Sequence, residues 1–455
     1  MPAEIHKDIS KIDHLKQLPP DSETWTAGSA GNPLSGQRPE QLNVKTITTE
    51  GQFDALKPQW IELADKAESH VFQTFQWSRT WWKHFGKKGQ LNILLFFDGD
   101  KLAGIAPLFR DTVEWAGIEI TSCLRFLGSN VSQPKEEMIG LISYTDYLDF
   151  IIVPGYERAV TAQMLRYLKG NRLPFDEILL ENISETSGLW GTLISTLQNH
   201  GIPFIIDEST SSQLINTSQT WEEYLASLDN GKRYKARLHW KRANKTDRKV
   251  FDIKEAASGE EAGICFEQLV KMHQKKWNRI GSLGTFYEKS NYEFHKEITR
   301  KFFEEGWLQL KLAIPVEKKN ACAAIDLNYQ YKNRIYCIHR AVDDESPFYS
   351  KGPGNVLLNV ILEEATRGQT VTYDFMRGNE YYKRSIADET IKTRSISIES
   401  TGKWRMAKSR VIKKIIYFKR RISRKLKLLE MMLGDKTVWT GTREFMSLLT
   451  KRLTA

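Results

Sequence analysis

A glycine-containing loop leads directly into an apolar helix between residues 348 and 368, where the sequence reads FYSKGPGNVLLNVILEEATRG. Gly352 and Gly354 would let the backbone approach a ligand closely. The amides at the start of a helix also attract anions, and Lys351 would add a positive charge. The pattern predicts a phosphate site, with an ordinary strand-to-helix turn as the alternative.

The next segment, VTYDFMRGNEYYK at 371–383, places a carboxylate at the end of a predicted strand. Asp374 stands beside a glycine turn, and Tyr382 and Lys383 follow shortly after it. Strand ends that face a crevice are where the ligand sites of α/β proteins collect. Asp374 is therefore a candidate catalytic carboxylate, or equally a residue that caps the short helix after it.

The order of the predicted elements is repeated in the two parts of the chain. Each part has helices first, then an antiparallel meander, a helix, a central strand, another helical stretch and a closing strand. The predicted helices lie at 52–68, 76–86, 156–169, 186–200, 220–228, 260–278, 289–305 and 355–367. This order predicts an α/β (α+β) protein, a tandem of two similar domains with mixed central sheets.

Composition suggests where the domains begin and end. Residues 1–42 are rich in Pro, Ser, Gly and Gln and show no apolar period, which predicts a disordered leader. We expect an N-terminal domain over 43–210, a C-terminal domain over 211–402 and a basic helical tail over 403–455.

Four motifs in the second part resemble the CelD/BcsL-type acetyltransferases of cellulose biosynthesis, which belong to the GNAT superfamily and are distantly related to Fem-type aminoacyltransferases. The motifs read MHQKKW (272–277), ACAAIDLNY (321–329), HRAVDDESPFYSKGPGNVLL (339–358) and YDFMRGNEYYK (373–383). Residues 50–205 resemble the N-terminal half of that family. The loop has one residue more than the family pattern between its aromatic residue and Pro353.

The resemblance implies transfer of an acyl group, usually acetyl, from coenzyme A to an amine or hydroxyl. In GNAT folds the strand before the cofactor helix splays from its neighbour, which would place the pantetheine along residues 337–342. The implied cofactor-binding residues are Arg340, Val342, Ser350, Lys351, Gly352, Gly354 and Asn355. The first part has no comparable glycine loop, so we expect it to be degenerate and to shape the acceptor site.

Direct acyl transfer requires a base for the acceptor and a proton donor for the leaving thiolate. His273 is the leading candidate base, although its alignment with Trp277 on one helix face also fits a packed core histidine. Asp326 and Asp374 are the carboxylate alternatives. The resemblance implies that Tyr382 protonates the thiolate, and Lys383 would bind phosphate or an anionic acceptor.

The net charge of +10 is concentrated in two segments. Residues 232–249 contain nine Lys/Arg and one acid, interleaved with aromatic residues, and fit an anionic acceptor or a solvated helix face better than RNA. Residues 403–427 contain twelve Lys/Arg and no acid, and the apolar stripe at 404–433 predicts an amphipathic helix. This helix would pack on the protein or a second subunit, or contact an anionic membrane surface.

The four cysteines form no CxxC pair, and no histidine cluster accompanies them, so the sequence indicates neither a metal site nor a disulfide framework. There is no signal-peptide pattern, and every apolar run is too short to cross a bilayer, which favours the cytoplasm. The first hypothesis is an acyl-CoA-dependent acyltransferase acting on an envelope or exopolysaccharide precursor. The alternatives are a Fem-like, aminoacyl-tRNA-dependent transferase and a non-catalytic component of a polysaccharide synthesis complex.

Overall fold

A computed structural model describes residues 41–115, 118–129, 145–169, 175–368, 370–378 and 380–399. All of them fall in one compact unit, Pro39–Ala455. The predicted leader up to residue 40 and the predicted basic helix at 404–433 lie outside the described residues.

The N-terminal half, up to Asn216, contains nine strands and five α-helices in its described residues. Its strands are β1 (Asn43–Ile47), β2 (Gln90–Leu91), β3 (Ile93–Asp98), β4 (Lys101–Ala106), β5 (Leu108–Trp115), β6 (Ile118–Phe126), β7 (Ile151–Ile152), β8 (Glu177–Ser184) and β9 (Phe204–Asn216). Its helices are α1 (Glu50–Ala55), α2 (Lys57–Lys66), α3 (Phe75–Phe85), α4 (Glu157–Lys169) and α5 (Gly188–Asn199).

The C-terminal half, from Trp221, contains six strands and six α-helices in its described residues. Its strands are β10 (Phe251–Glu255), β11 (Leu308–Pro315), β12 (Ala324–Tyr331), β13 (Arg334–Val342), β14 (Thr372–Arg377) and β15 (Glu389–Glu399). Its helices are α6 (Trp221–Ser227), α7 (Asn230–Asn244), α8 (Gly259–Arg279), α9 (Lys289–Glu304), α10 (Pro353–Arg367) and α11 (Tyr381–Ile386).

The two halves exchange their last strands within one large sheet. Eleven strands follow the order β10-β11-β12-β13-β14-β9-β15-β8-β6-β5-β2, and β1-β3-β4-β7 form a second sheet. Strand β9 therefore lies between β14 and β15, and β15 lies between β9 and β8. The mixed α/β fold with a large mixed sheet is as the sequence predicts. The predicted boundary at residues 210/211 falls inside β9, and the division into domains stays a prediction.

A local irregularity is repeated in the two halves. The parallel pairs β6–β8 and β13–β14 occupy equivalent places in the sheet order. Both β8 and β14 bulge against their antiparallel neighbours, and each bulge holds a non-glycine residue with a φ of 58°, Asn182 and Met376. Bulges locally end strand pairing and re-aim the chain. The two halves therefore share a strand geometry, although their amino-acid sequences are barely similar.

Alternation along the strands of the C-terminal half separates two cores on opposite faces of the sheet. On β12, Ile325 and Leu327 pack in a cluster with α3, α8 and α9, whereas Ala324 packs with α6, α7 and α10. The first cluster joins the halves, because Trp77 of α3 meets Phe294 of α9 with ring centroids 4.9 Å apart. Helices α8 and α10 therefore face each other across the sheet.

Most predicted elements are present, but several differ. The helix predicted at 52–68 is divided into α1 and α2. Pro58 is the second residue of α2, and proline is favoured in the first turn of a new helix. The closing strand predicted for the first part continues as β9 to Asn216, since β14 and β15 pair with its polar second part. Strands β1, β7 and β10 were not predicted. Within the described residues, no helix has the length and apolar character needed to span a membrane.

Candidate functional site

The site begins where β13 and β14 separate. The two strands pair in parallel only from Arg334 to Tyr336 on β13 and from Thr372 to Asp374 on β14. Beyond that point β14 turns through its bulge and rejoins β9 at Arg377. The edge of β13 from residue 337 to 342 therefore faces an opening rather than a neighbouring strand.

A cavity of about 950 Å³ fills this opening. All six residues from Cys337 to Val342 line it. Because successive side chains of a strand point to opposite faces, six consecutive residues can line one cavity only through the strand edge. Ile338 is also a bulge residue, since β12 pairs with Cys337 and His339 but leaves Ile338 without a partner residue. The cavity thus presents unpaired backbone groups to an extended ligand.

On one face of the sheet, the cavity reaches the start of α10. Gly352 precedes this helix in the left-handed conformation, with a φ of 67° that favours glycine, and no side chain caps the helix. Pro353 has no N–H, and Val356 donates to the carbonyl of Gly352 at 2.9 Å. The amides of Gly354 and Asn355 belong to the first turn and cannot find intrahelical acceptors. Two uncapped donors therefore line the cavity at a positive helix end.

Gly354 is closely packed against β13. A Cβ atom at this position would lie 3.0 Å from Val342 Cγ2 and 3.3 Å from Arg340 Cδ. A side chain here would occupy the space where the strand edge meets the helix terminus. The loop therefore fits the predicted phosphate site, and Ser350, Gly352, Gly354 and Asn355 all line the cavity. Lys351 does not; its carbonyl instead accepts a hydrogen bond from Arg242 of α7.

On the opposite face, the cavity is lined by His273, Lys276, Trp277 and Thr285. His273 is 7% exposed, and its Nδ1 lies 3.2 Å from Gln274 Oε1. Burial lowers its pKa to about 4, so the ring is neutral at physiological pH. A neutral imidazole can accept a proton, but a strongly lowered pKa makes it a weaker base.

His273 belongs to a buried group of three histidines around Phe286. The ring centroid of His339 lies 5.8 Å from that of His273 and 4.9 Å from that of His295. His339 also lines the cavity, and burial lowers its pKa well below the ordinary value. His295 is fully buried, burial lowers its pKa to about 3, and neither of its ring nitrogens has a hydrogen-bond partner among the described residues.

This histidine group predicts that the protein loses stability in acid. His295 has a folded-state pKa of about 3, below the unfolded value of 6.5, so only the unfolded chain binds the proton between these values. The contribution of His295 to the free energy of unfolding is complete above pH 6.5 and decreases as the pH falls toward 3. Between pH 8 and pH 5, the free energy of unfolding should fall by about 2 kcal/mol less in the His295→Phe variant than in the wild type. Urea unfolding at both pH values measures this, and equal losses would contradict it.

Tyr382 and Lys383 line the cavity near the end of β14. Tyr382 is 44% exposed, and burial of its hydroxyl raises its pKa to about 12, which keeps it protonated as a proton donor. Lys383 is buried. Its Nζ donates to the carbonyl of Arg377 and lies 3.1 Å from Glu380 Oε2. Cys337 lies on the same wall, and burial raises the pKa of its thiol.

The two candidate carboxylates do not line the cavity. Asp326 is fully buried and accepts a hydrogen bond from Arg340 Nε at 2.7 Å across the β12–β13 pair. Asp374 is also fully buried, and burial raises its pKa. Neither can meet an acceptor in the cavity from this position. We therefore assign Asp326 to holding Arg340 in the wall, and Asp374 to holding the strand geometry.

The surroundings of Asp374 show how the N-terminal half supports the site. Its carboxylate accepts hydrogen bonds from Tyr147 and from the amide of Met376, each at 2.7 Å, and lies 3.4 Å from Arg334 Nη1. The Tyr147 ring stacks on His70, with centroids 4.6 Å apart. A residue of the N-terminal half thus holds the bulge of β14 in place.

The neighbouring residue of that half reaches the cavity wall itself. Asp146 lines the cavity and forms a salt bridge with Arg377, which also donates to the carbonyl of Thr145 at 2.8 Å. The same segment also contacts the equivalent bulge of its own half, because Leu148 donates to the carbonyl of Asn182 at 3.1 Å.

The structure brings most of the predicted residues together. The cavity is lined by His273, Tyr382, Lys383, Arg340, Val342, Ser350, Gly352, Gly354 and Asn355, and not by Asp326, Asp374 or Lys351. The cavity is also lined by Asp146, which the sequence did not single out, by His339, which lies in the range predicted for the pantetheine, and by Lys235 and His239. The last two stand in the basic segment 232–249, where their spacing of four on a helix was the available signal. Asp146 gave no signal, because only the fold brings it near Arg377.

Comparisons with known proteins agree with this geometry. Residues 230–384 match the profile of a domain family described as "Acetyltransferase (GNAT) domain". The chain has no detectable match among curated protein sequences. Among solved structures, FemX is similar with a TM-score of 0.53 and 12% identity, over 78% of this chain and 96% of FemX. At this identity the similarity shows a shared fold alone.

Two further solved structures overlap less well. A conserved protein of unknown function from Bacteroides thetaiotaomicron VPI-5482 has a TM-score of 0.47 and 13% identity, over 78% of this chain and all of that one. A tandem GNAT protein from the clavulanic acid biosynthesis pathway has a TM-score of 0.40 and 9% identity, over 79% of this chain and all of that one. The domain match covers the splayed strands, the α10 loop and every residue that lines the cavity except Asp146. On that basis the protein is an acyltransferase whose residues 230–384 are similar to a GNAT acetyltransferase domain.

Proposed function

We propose that the protein transfers an acyl group, acetyl in the first instance, from acyl-CoA to an amine or hydroxyl. The observation that carries the proposal is the continuity of the cavity. It follows the open edge of β13 over six residues and ends at the uncapped amides of α10. An extended chain with amides, ending in a diphosphate, has the chemistry that such a surface recognises.

The residues fit acyl-CoA in three ways. The open edge of β13 offers backbone groups to the two amides of the pantetheine arm. The amides of Gly354 and Asn355 can donate to the diphosphate, and the missing Cβ of Gly354 leaves space for it. Ile338 has no partner residue on β12, so its backbone N–H can donate to the carbonyl oxygen of a thioester beside it. Acyl-CoA itself supplies the thioester whose acyl group is transferred.

The proton-transfer roles follow from the two faces of the cavity. His273 and His339 lie on the face opposite α10, where an acceptor would meet the reacting carbonyl, and both are neutral and able to take its proton. Tyr382 of α11, the helix that follows β14, is protonated and lines the cavity, so it can donate to the departing sulfur. Acid and base would thus be separated across the splay.

The acceptor we propose is a precursor of an envelope glycan or exopolysaccharide. The resemblance to CelD/BcsL-type acetyltransferases supports this choice, and the charges of the cavity wall are consistent with an anionic acceptor. Lys276 lines the wall and takes part in no salt bridge with a described residue. Trp277 beside it is 38% exposed, and its ring offers a flat apolar surface. Lys276 and Trp277 together suit a sugar that carries an anionic group.

A Fem-like transferase that uses aminoacyl-tRNA is the second candidate. The observation that favours it is the fold shared with FemX, together with the basic helix α7 at the mouth of the cavity. A tRNA end would approach the same strand edge, but it would need a longer basic track outside the cavity. The two candidates therefore differ in the size of the donor and not in the reacting site.

Calorimetric titration of the full-length protein separates these functions. We expect acetyl-CoA to bind with a dissociation constant of about 1–100 µM, in the range that co-substrates usually show. Total tRNA, titrated in parallel at 50 and 200 mM salt, should bind weakly or not at all. Tight, salt-sensitive tRNA binding without acetyl-CoA binding would favour the Fem-like function. Binding of neither would favour a non-catalytic component.

A further inference from the structure

Helix α7 carries far more positive charge than its local partners balance. Its residues, Asn230–Asn244, include six Lys/Arg and no acid, and two of these six form salt bridges with described acids. If these basic residues only formed a solvated helix face, α7 would not need to lie beside the glycine loop. Yet α7 packs on α10, and Arg242 donates to the carbonyl of Lys351 inside the glycine loop. The helix is thereby attached to the rim of the cofactor cavity.

Two residues of α7 enter the cavity wall. Lys235 and His239 are four residues apart, which places them on one face of the helix, and both line the cavity. A Cβ atom on Gly352 would lie 3.0 Å from His239 Nε2, so α7 crosses directly over the loop. Lys235 and His239 are therefore the next groups a ligand meets beyond the start of α10.

The charges at this end of the cavity are not neutralised. The three acids of the wall are each held by a base, as pairs Asp146–Arg377, Asp344–Arg279 and Glu380–Lys383. Lys235 takes part in no salt bridge with a described residue. His239 adds a ring that burial and the charges of Arg242 and Lys235 keep neutral, because they lower its pKa to about 4. Among the residues that line this end of the cavity, Lys235 is therefore a cation without a described acidic partner, beside a neutral hydrogen-bonding ring.

We propose that Lys235 and His239 form the subsite for the 3′-phosphate of the coenzyme's adenosine. The inference rests on the proposed use of acyl-CoA. The amides of α10 account for the diphosphate, but coenzyme A carries one more anion, on the ribose that follows the diphosphate. The wall of α7 lies next to that helix end, on the same face of the sheet. Lys235 binds the phosphate through its charge, and His239 donates a hydrogen bond to it.

The subsite would give the enzyme a preference for the complete coenzyme. Wild-type protein should bind acetyl-CoA about tenfold more tightly than 3′-dephospho-acetyl-CoA, a ratio that corresponds to about 1.4 kcal/mol. The Lys235→Ala variant should lose this factor for acetyl-CoA and bind the dephospho form as the wild type does. Lys235 is exposed and alanine favours helix, so the variant should fold normally.

Isothermal titration of both ligands into both proteins tests the inference, with Lys241→Ala as the matched control. Lys241 lies on the same helix, takes part in no salt bridge with a described residue and does not line the cavity. Its replacement should leave both affinities within about twofold of the wild type. A similar loss in the two variants would mean that only the general charge of α7 matters, and would overturn the subsite.

The remaining outcomes are distinct. Equal wild-type affinity for the two ligands would overturn the subsite but leave the proposed function intact. A loss in Lys235→Ala that is the same for both ligands would place Lys235 at the diphosphate and overturn the 3′-phosphate assignment. Absence of acetyl-CoA binding by the wild type would overturn the proposed function itself. If total tRNA displaced acetyl-CoA and Lys235→Ala abolished that displacement, α7 would be a tRNA contact and the inference would be wrong.

Discussion

Replacing Gly354 with aspartate is expected to weaken acetyl-CoA binding about 100-fold, measured by isothermal titration. Two unit charges about 4 Å apart near a protein surface repel by roughly 4 kcal/mol, and a mobile diphosphate would avoid part of this. The substitution also places a side chain where a Cβ atom would lie 3.0 Å from Val342 Cγ2. Charge and volume therefore act at the same point of the cavity.

Two controls separate these effects from unfolding. Gly354→Asn has nearly the same shape without the charge, so the difference between the two variants measures the repulsion alone. Gly259→Asp places the same charge in the first turn of α8, where the nearest atom to an added Cβ is 3.7 Å away. It should bind acetyl-CoA as the wild type does. If Gly354→Asp kept wild-type affinity, the diphosphate would not lie at α10.

Replacing Asp374 with alanine is expected to lower the free energy of unfolding by about 3–5 kcal/mol. The change leaves the Tyr147 hydroxyl, the Met376 amide and the Arg334 guanidinium without their acceptor in the protein interior. Buried groups that lose a partner bear their full desolvation cost. Urea unfolding followed by circular dichroism measures the effect.

The matched control is Asp252→Ala, which removes an aspartate from an ion pair with Lys249 in which both side chains are more than a third exposed. An exposed pair of this kind contributes about 0–1 kcal/mol. Tyr147→Phe removes only the hydroxyl and should cost about 1–1.5 kcal/mol. A loss in Asp374→Ala no larger than that of the control would mean that the carboxylate does not hold the β14 bulge.

These two predictions concern different levels of the same site. Gly354 acts on the ligand directly, whereas Asp374 acts on the strand that shapes the cavity. Because Tyr147 belongs to the N-terminal half, the stability prediction also tests how that half supports the other. The exchange of β9 and β15 makes the same connection through backbone hydrogen bonds. Residues of both halves therefore determine the geometry of one cavity.

Local patterns in the sequence were sufficient to predict most of the helices and strands. The meander from β11 to β13, the helix α10 and the glycine loop all follow from apolar period and turn residues. The loop residues, together with Tyr382 and Lys383 of α11, lie within about 35 positions of one another in the chain, so the sequence could place them together. Strand β10 and the second part of β9 were missed, because their stability comes from pairing with distant strands and not from local pattern.

The sequence by itself determined the mixed α/β class, the glycine loop before α10 and the residues that follow β14. Tertiary structure alone decided that Asp326 and Asp374 are buried partners of arginines and not groups in the cavity, because register and strand exchange depend on contacts across the chain. It likewise brought Asp146 to Arg377, and α7 to the loop. Spacing along the chain can place residues on one element, but only packing between elements decides which of them share a cavity.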